Sequence, residues 1–258
     1  MLMLSQLFSR ALYLTSIFVF CFTSPGFAAE TDVSSLMRHI DRLWRADSSR
    51  ALMSMTVKTH RYERSMTLES WSKGKDKSLI IIKAPKKDKG IATLKVDKKM
   101  WNYLPKINRV TKVPASMMSG SWMGSHFTND DLVQENTYED DFETQITFSG
   151  QRDGQRIYEV TSIPKPTAAV VWGKVVMIID QARLTPLQAI YYDEDSTKIR
   201  TMFFEDIRKQ GKRHIPMRMR LVPEEKPQES TIIEYQTIEF DIALKDNLFS
   251  LQSLKKQR

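Results

Sequence analysis

Residues 53–82 carry the clearest structural signal in the chain and read MSMTVKTHRYERSMTLESWSKGKDKSLIII. Between Met53 and Val57 apolar residues alternate with polar ones, and this period of two is typical of a β-strand with one buried face. A second alternation begins at Met66, and the apolar run LIII ends the stretch. The turn-forming sequence KGKD at residues 73–76 separates these two strands. The pattern predicts an antiparallel meander, in which neighbours along the chain pair with each other.

The same alternation resumes beyond residue 142. Asp153 and Gly154 form a strong signal for a two-residue hairpin turn, because this pair favours the backbone angles that such a turn requires. We predict further strands at residues 146–148, 157–160, 170–179, 187–192, 198–204, 215–222 and 230–240. About ten or eleven strands without crossover helices indicate a strongly curved antiparallel sheet or barrel rather than an α/β fold. A short helix is predicted at residues 247–254.

An amphipathic helix is predicted ahead of the strands, within residues 31–48. Its apolar residues recur at helical spacing and form one stripe. They are Val33, Leu36, Met37, Ile40, Leu43 and Trp44. Thr31 and Asp32 are both suitable N-caps, because their side chains can accept hydrogen bonds from the free backbone N–H groups of the first turn.

The N-terminus has the organisation of a secretory signal peptide. Arg10 precedes residues 11–22, in which only Thr15 and Ser16 are polar. This run is too short to span a bilayer as a helix, which needs about 20 residues. Export is therefore predicted, and a retained membrane anchor is the alternative.

The residues around the end of this region predict where cleavage occurs. Cleavage after Ala28 places Gly26 and Ala28 at the positions that require small residues, so we predict a signal peptide at 1–28 and a single domain at 29–258. The aromatic residue in front of Cys21 disfavours lipidation, because a lipoprotein signal has a small residue there. We expect a periplasmic product that is exported and not lipidated.

The composition limits the classes of protein and partner. The 258 residues include 39 Lys and Arg against 31 Asp and Glu, with 9 Gly, 10 Pro and a single Cys. Such a chain is neither collagen-like nor a disulfide scaffold.

Thirteen of the basic residues lie within residues 73–112, which contain only three acidic ones. Solvated surface accounts for such a run, and the alternative is a basic docking face that meets anionic lipid headgroups or an acidic partner. Its candidates are Lys86, Lys87, Lys89 and Arg109.

Residues 113–135 interrupt the strand pattern. PASMMSGSWMG at residues 114–124 is rich in methionine and small residues and does not alternate. Thr128 begins a stretch that is typical of a capped helical turn. We interpret this region as a cover over the sheet. It is either a permanent plug of ordinary core or a movable apolar lid, whose flexible methionines suit irregular hydrocarbon ligands.

The sequence contains no recognisable catalytic or metal-binding constellation. Four histidines stand without a second ligand at a metal-binding spacing: His39, His60, His126 and His214. The chain also lacks a Gly-x-Ser-x-Gly nucleophile elbow and the glycine pattern of a phosphate loop. We therefore expect no cofactor, no metal and no enzymatic activity.

The central part of the chain resembles the signature of a known family. The residues that carry the resemblance are MWNYLPKINRV at 100–110, SWMGS at 121–125, FT at 127–128 and DL at 131–132. On these residues the chain resembles the outer membrane lipoprotein-sorting proteins, relatives of the periplasmic carrier LolA. The opening helix, the strand spacing and the ending DNLF at 246–249 are similar as well. One departure is His126, where the family pattern usually has an acidic residue.

The resemblance implies an incomplete antiparallel β-barrel of about eleven strands, covered by helices and loops, with a hydrophobic cavity for acyl chains and no cofactor. A barrel of more than eight strands has interior room beyond its own side chains. We expect a lid over its mouth made of Met117, Met118, Trp122, Met123 and Phe127. The sheet residues expected to back this lid are Trp101, Tyr103 and Trp172.

Two functions fit this interpretation. The first is a periplasmic carrier or chaperone that binds lipoprotein acyl chains or another lipid for transfer between membranes, with an inner-membrane transporter as a partner. The second is a lipid- or lipoprotein-sensing accessory protein of a membrane transporter or regulator. The fold alone does not separate them. In both cases we expect a monomer that does not bind nucleic acid.

Overall fold

A computed structural model of the protein describes residues 32–134, 138–168 and 170–255. All of these belong to one compact unit, Thr31–Arg258. The predicted signal peptide at residues 1–28 lies outside the described residues, so its cleavage stays a prediction. Among the described helices, none is long and apolar enough to cross a membrane.

Thirteen strands in the described part of the chain form one antiparallel sheet. They are β1 Ser48–Lys58, β2 Glu63–Lys73, β3 Lys77–Ala84, β4 Ala92–Val96, β5 Lys99–Leu104, β6 Arg109–Lys112, β7 Phe142–Arg152, β8 Gln155–Pro164, β9 Lys174–Asp180, β10 Thr185–Tyr192, β11 Lys198–Gln210, β12 Arg213–Pro223 and β13 Ser230–Phe240. Across the sheet the order is β6-β5-β4-β3-β2-β1-β13-β12-β11-β10-β9-β8-β7. Every neighbouring pair except β1 and β13 is consecutive in sequence, and the sheet stays open between β6 and β7.

The prediction of an open, mainly β fold built as an antiparallel meander is confirmed, but the count of about eleven strands is too low. The sequence pattern does not resolve β4, β5 and β6 as separate strands. Strand β4 has only five residues and β6 only four, so both are shorter than most strands of the sheet. Strand β9 begins at Lys174 rather than at residue 170, because the residues before it form a loop.

Short helices accompany the sheet. The α-helices in the described residues are α1 Val33–Asp41, α2 Asn129–Gln134, α3 Tyr138–Asp141 and α4 Leu251–Lys255. Asp32 caps α1, since its carboxylate accepts hydrogen bonds of 3.1 Å from the backbone N–H groups of Ser34 and Ser35. The helix ends earlier than predicted, but Trp44 beyond it still packs against the ring of Phe204, with 5.7 Å between centroids. The predicted C-terminal helix is confirmed as a 3-10 turn, Asp246–Phe249, followed by α4.

Two apolar clusters lie on opposite faces of the sheet. The cavity-side cluster joins α1, the covering segment (residues 113–134) and strands from β1 to β13, and its most buried members include Met37, Met55, Leu68, Trp122, Val160 and Leu221. The reverse-side cluster consists of Leu79, Ile81, Ala92, Leu94, Tyr103, Phe249 and Leu254. Because side chains alternate along a strand, β3 contributes Leu79 to the reverse side and Ile80 to the cavity side. The C-terminal residues Phe249 and Leu254 cover the reverse side.

Candidate functional site

A cavity of about 260 Å³ lies between the sheet, the end of α1 and the covering segment. Its apolar wall includes Trp44, Met53, Leu68, Ile80, Trp122, Phe127, Met177, Met202, Phe204, Met219 and Ile233. The volume is close to the lower end of the range for small-molecule pockets, which is about 300 Å³. Methionine and aromatic side chains from several strands therefore surround a space that the protein's own residues do not fill.

Trp122 closes the cavity from the covering segment. Its indole Nε1–H donates a 3.1 Å hydrogen bond to Thr93 Oγ1, whose hydroxyl in turn donates to Asn102 Oδ1 at 2.8 Å. The backbone of Trp122 pairs with Phe127 through an N–H to O bond of 2.8 Å, which folds this part of the segment into a tight loop. Gly124 occupies this loop with a φ of 72°, a left-handed conformation that glycine adopts without a steric penalty.

A buried ion pair joins the covering segment to the sheet. Arg200 on β11 donates hydrogen bonds of 2.5 and 2.8 Å to the two carboxylate oxygens of Asp131 in α2. Its guanidinium lies 4.2 Å from the ring centroid of Trp172 and 4.5 Å from that of Tyr191. Burial alone lowers the pKa of Arg200, but the hydrogen bonds and charge of Asp131 outweigh it and the pKa is raised. Arg200 therefore stays charged and holds the segment over the cavity.

Asp131 also organises the helix that carries it. Its carboxylate accepts a 2.7 Å hydrogen bond from the backbone N–H of Thr128, and the Thr128 hydroxyl accepts a 3.2 Å bond from the backbone N–H of Asp131. This reciprocal pair is a capping box, so the predicted capped turn at Thr128 is confirmed. One carboxylate thus starts α2 and pairs with the sheet.

A second tie involves two histidines that share one carboxylate. Glu229, in front of β13, accepts hydrogen bonds from His60 Nδ1 at 2.8 Å and from His126 Nε2 at 3.2 Å. Thr231 Oγ1 accepts the backbone N–H of His126 at 3.0 Å and lies 2.8 Å from its Nδ1. The side chain and backbone N–H of His60, together with His126, lower the pKa of Glu229 to about 2. The departure from the family pattern at His126 therefore places a histidine against a carboxylate from the β12–β13 connection.

The opposite end of the cavity is polar. Ser49, Ser72, Ser78 and Lys95 line it together with Arg45, Lys75 and Lys77. No local sequence pattern singles out this set. What its strand members share is a polar residue at a cavity-facing position of each of four adjacent strands. This alignment is known only from the strand register.

The structure brings some of the predicted lid residues together and separates others. Trp122, Phe127 and Trp172 line the cavity, and Met123 packs against the cavity-side cluster. Met117 lies on the surface with 59% of its area exposed, and Met118 is half-buried outside the cavity lining.

Trp101 and Tyr103 do not back the lid. They share one face of β5, as a period of two requires, but that face is the reverse side, where Tyr103 is fully buried. The expected location is wrong because both faces of the sheet are apolar here, so alternation does not tell which face points at the cavity.

The predicted basic docking residues lie at one end of the first six strands. Lys86, Lys87 and Lys89 belong to the exposed β3–β4 loop, and Arg109 begins β6 next to the β5–β6 turn. The strand register places these loops at the same end, since Ala84 and Leu104 are the last residues of β3 and β5 to pair before them. The β5–β6 turn also exposes 63% of Ile107.

Metal ligation finds no support in the residues described. No group of three or more His, Cys, Asp or Glu side chains there is placed to hold a metal ion. The cavity therefore offers an apolar wall, a buried ion pair and a cationic end as its binding features.

Comparisons with known proteins give a family and a fold. A family model described as "Uncharacterized protein" matches residues 74–256. No curated protein sequence matches the chain. A crystal structure of a DUF1329 family protein from Desulfovibrio piger is 22% identical with a TM-score of 0.77, covering 85% of this chain and 96% of that one.

Two further crystal structures share the fold. One, described as an outer membrane lipoprotein-sorting protein domain from Vibrio parahaemolyticus, is 24% identical with a TM-score of 0.73, covering 86% of this chain and 97% of that one. The other, a LolA superfamily protein from Nitrosomonas europaea, is 19% identical with a TM-score of 0.72, covering 85% of this chain and 98% of that one. At these identities the likeness extends to the fold.

Proposed function

We propose that this chain is a non-catalytic periplasmic carrier of acyl chains. The chain belongs to the family whose model, described as "Uncharacterized protein", matches residues 74–256, and it shares the fold of a LolA superfamily structure. Its cargo is a lipoprotein or another lipid, which it moves through water between membranes. The observation that carries this proposal is the unfilled apolar cavity beneath Trp122. One structural neighbour is described as a lipoprotein-sorting protein domain, and this description supports the same class of cargo.

Burial of hydrocarbon in the cavity supplies the binding free energy. Each buried CH₂ group contributes about 0.8 kcal/mol, so a chain of about 16 carbons offers on the order of 12 kcal/mol before ordering is subtracted. Methionines such as Met53, Met177 and Met202 adapt to the irregular shape of such a chain, because their unbranched side chains have several rotatable bonds.

Entry of the cargo requires the covering segment to move. Polar ties that hold it closed include the Asp131–Arg200 pair, the contact of His126 with Glu229 and the hydrogen bond from Trp122 to Thr93. They join the segment to β11, to the turn in front of β13 and to β4. Opening therefore breaks a few polar contacts at once and exposes the wall to the incoming acyl chain.

Delivery requires contact with a membrane or with a membrane transporter. The end of the sheet that holds Lys86, Lys87, Lys89 and Arg109 combines exposed cations with Ile107 and Leu104, which are 63% and 41% exposed. Cations near an anionic membrane surface contribute about 1 kcal/mol each, and exposed apolar side chains can enter the interface. An anionic membrane surface is thus the partner that this end fits, with an inner-membrane transporter as the acceptor or donor of cargo.

Native extraction tests the carrier function directly. The exported protein is purified without detergent, and whatever co-purifies is identified by mass spectrometry. We expect an acylated molecule, and transfer of a fluorescent fatty acid between two vesicle populations should be faster with the protein present. A bound lipid without any acceleration of transfer would favour the sensing accessory protein, and no bound acyl chain in either assay would reject the proposal.

A variant of Trp122 tests the site. Trp122→Ala should weaken binding of a fluorescent fatty acid about tenfold, since it removes part of the wall. Its cost in unfolding free energy should stay below the roughly 3–5 kcal/mol of a tightly packed core tryptophan, because the indole borders an open space. Met117→Ala is the matched control, being exposed on the same segment, and should change neither quantity. A large loss of unfolding free energy with unchanged fatty-acid binding would indicate that the covering segment is a permanent part of the core.

A further inference from the structure

One end of the cavity is built differently from the rest of its wall. The register of β1 to β4 aligns Ser49 with Ser72, Ser72 with Ser78, and Ser78 with Lys95. These four side chains form one row across four strands and all line the cavity. Ser49 Oγ and Ser72 Oγ lie 2.8 Å apart, so the hydroxyls are linked along the row.

The rows further along the same strands become apolar. Two residues on, Ala51 aligns with Ser70 and Ile80 with Thr93, and the next row contains Met53 and Leu68. The cavity wall therefore changes from a hydroxyl and ammonium row to hydrocarbon within two steps of the register, which is about 14 Å of strand. An amphiphile has the same division between head and chain.

Lys95 is the most unusual member of the polar row. Only 5% of the residue is exposed, and its Nζ donates a 3.0 Å hydrogen bond to the backbone oxygen of Lys75. A buried ammonium is costly unless it has counter-charges or acceptors, so few lysines occupy such positions without a purpose. Lys95 is therefore a buried basic residue in the lining of a cavity whose remaining wall is largely apolar.

Further cations gather at the same end. Arg45, Lys75 and Lys77 line the cavity near Lys95, while Asp41 is the acidic side chain of the lining from the adjoining end of α1. Lys75 pairs with Asp140 at 2.9 Å and Lys77 with Asp246 at 3.0 Å. Both of these carboxylates are exposed, and neither belongs to the cavity lining among the described residues. Across the described lining, five basic residues stand against Asp41, Asp130 and Asp131, and four of the five lie at this end.

We propose that this end of the cavity is a subsite for an anionic head group, so that the ligand is an amphiphile whose acyl chain ends in a carboxylate or a phosphate. The inference rests on the proposed function, because it assumes that the apolar wall holds the chain. Serine hydroxyls and the Lys95 ammonium donate hydrogen bonds to anionic oxygens, and such charge-assisted bonds are stronger than those to a neutral hydroxyl. The subsite selects among lipids by head group, whereas the apolar wall selects only by chain.

The experiment compares ligands that differ in one group. Oleate is paired with oleyl alcohol, and monooleoyl lysophosphatidic acid is paired with monooleoylglycerol, and each is measured as a competitor of a fluorescent fatty acid below its critical micelle concentration. We expect each anion to bind roughly ten- to a hundredfold more tightly than its neutral partner, which is the range for hydrogen bonds to charged groups. The anion of the tighter pair identifies the head group as a carboxylate or a phosphate.

Substitutions then locate the preference. Lys95→Gln should remove most of the preference for the anion and leave the affinity for the neutral partner unchanged. Lys77→Gln, at a half-buried position of the same end, should reduce the preference in part, and it serves if Lys95→Gln does not fold. Lys99→Gln is the matched control, since Lys99 lies on the neighbouring strand outside the cavity lining and is exposed. Folding of each variant is checked by circular dichroism.

The outcomes separate the two proposals. Equal binding of anionic and neutral partners to the wild-type protein would overturn the subsite and leave the carrier function intact. A preference for anions that persists in both Lys95→Gln and Lys77→Gln would also overturn it. If none of the four amphiphiles binds, the carrier function itself fails.

Discussion

Strands β3 and β4 separate two apolar regions that are built from neighbouring residues but packed in different ways. On the reverse side Leu79 and Leu94 are almost completely buried beneath Phe249 and Leu254. On the cavity side Ile80, next to Leu79, remains half-buried and faces open space. The same strands therefore form a filled core on one face and border a cavity at Ile80 on the other, where Ile82 is again buried.

The difference lies in what covers each face. The C-terminal residues cover the reverse side with close apolar packing, whereas the covering segment combines the buried side chains of Trp122 and Phe127 with polar ties at Arg200 and Glu229. Packing density in a protein interior is normally high and uniform. A hollow face held by polar contacts is suited to a cover that opens, and a filled face is suited to stability.

The largest expected effect comes from breaking the polar tie of the hollow face. Asp131→Ala should lower the free energy of unfolding by about 3–5 kcal/mol, because it leaves the buried Arg200 guanidinium without its counter-charge. Chemical denaturation measures this change. Glu224→Ala breaks the exposed pair with Lys198, which has a similar N to O distance of 2.8 Å, and should change stability by less than about 1 kcal/mol. Equal effects of the two variants would mean that the buried pair does not hold the cover.

Adjacent residues of β3 provide the most direct test of filled against hollow packing. Leu79→Ala should destabilise the protein by about 2–5 kcal/mol, because it leaves a cavity in a closely packed cluster. Ile80→Ala should cost about 1–2 kcal/mol, since its side chain is half-buried and already borders open space. The same denaturation experiment measures both. If Ile80→Ala proves as costly as Leu79→Ala, the cavity side is as tightly packed as the reverse side.

Acid weakens one tie of the cavity side, and comparison with a Glu229 variant isolates its contribution. The folded-state pKa of Glu229 is lowered to about 2 from its ordinary value of 4.5, so its contribution to stability is complete above pH 4.5 and is lost as the pH falls towards 2. Unfolding free energies of the wild type and Glu229→Gln, measured between pH 2 and 6, should therefore converge as the pH falls through this window. Parallel curves would show that Glu229 is not held by His60 and His126.

The smallest effect on stability is expected at the basic end of the sheet, which belongs to neither region. Replacing Lys86, Lys87 and Lys89 with Glu should change the unfolding free energy little, since all three are exposed. The same variant should bind phosphatidylglycerol vesicles more weakly than the wild type. Binding of the wild type should decrease with salt, because the Debye length falls from about 10 Å at 0.1 M to about 3 Å at 1 M. Binding that does not change with salt would indicate that these lysines are ordinary solvated residues and do not dock on the membrane.

Local patterns in the sequence predict much of the fold. Alternation identifies β1, β2 and most later strands, and Asp153 and Gly154 adopt the positive φ angles of 51° and 80° that their hairpin turn requires. The Asp32 cap and the capped turn at Thr128 are also local features. Each of these depends on residues only a few positions apart, which is why one sequence suffices to find them.

The remaining features depend on contacts between distant parts of the chain. Arg200 meets Asp131 across 69 positions, and His126 meets Glu229 across 103. Lys95 has the sequence context of a surface lysine in a basic stretch, and only the register of β3 and β4 turns it towards the cavity. The C-terminal residues likewise decide the orientation of β5, because they cover the face that carries Tyr103.

The order of the strands also has a consequence for how the protein folds. Strands β1 to β6 and β7 to β13 are two runs of consecutive hairpins, and the ladder between β1 and β13 joins them at the middle of the sheet. In that ladder Ser49 pairs with Phe240, 191 positions later. Contacts between residues far apart in sequence are slow to form, because the entropy of closing the intervening loop is lost before the contact is gained. The central seam, rather than either outer edge, is therefore expected to limit the rate of folding.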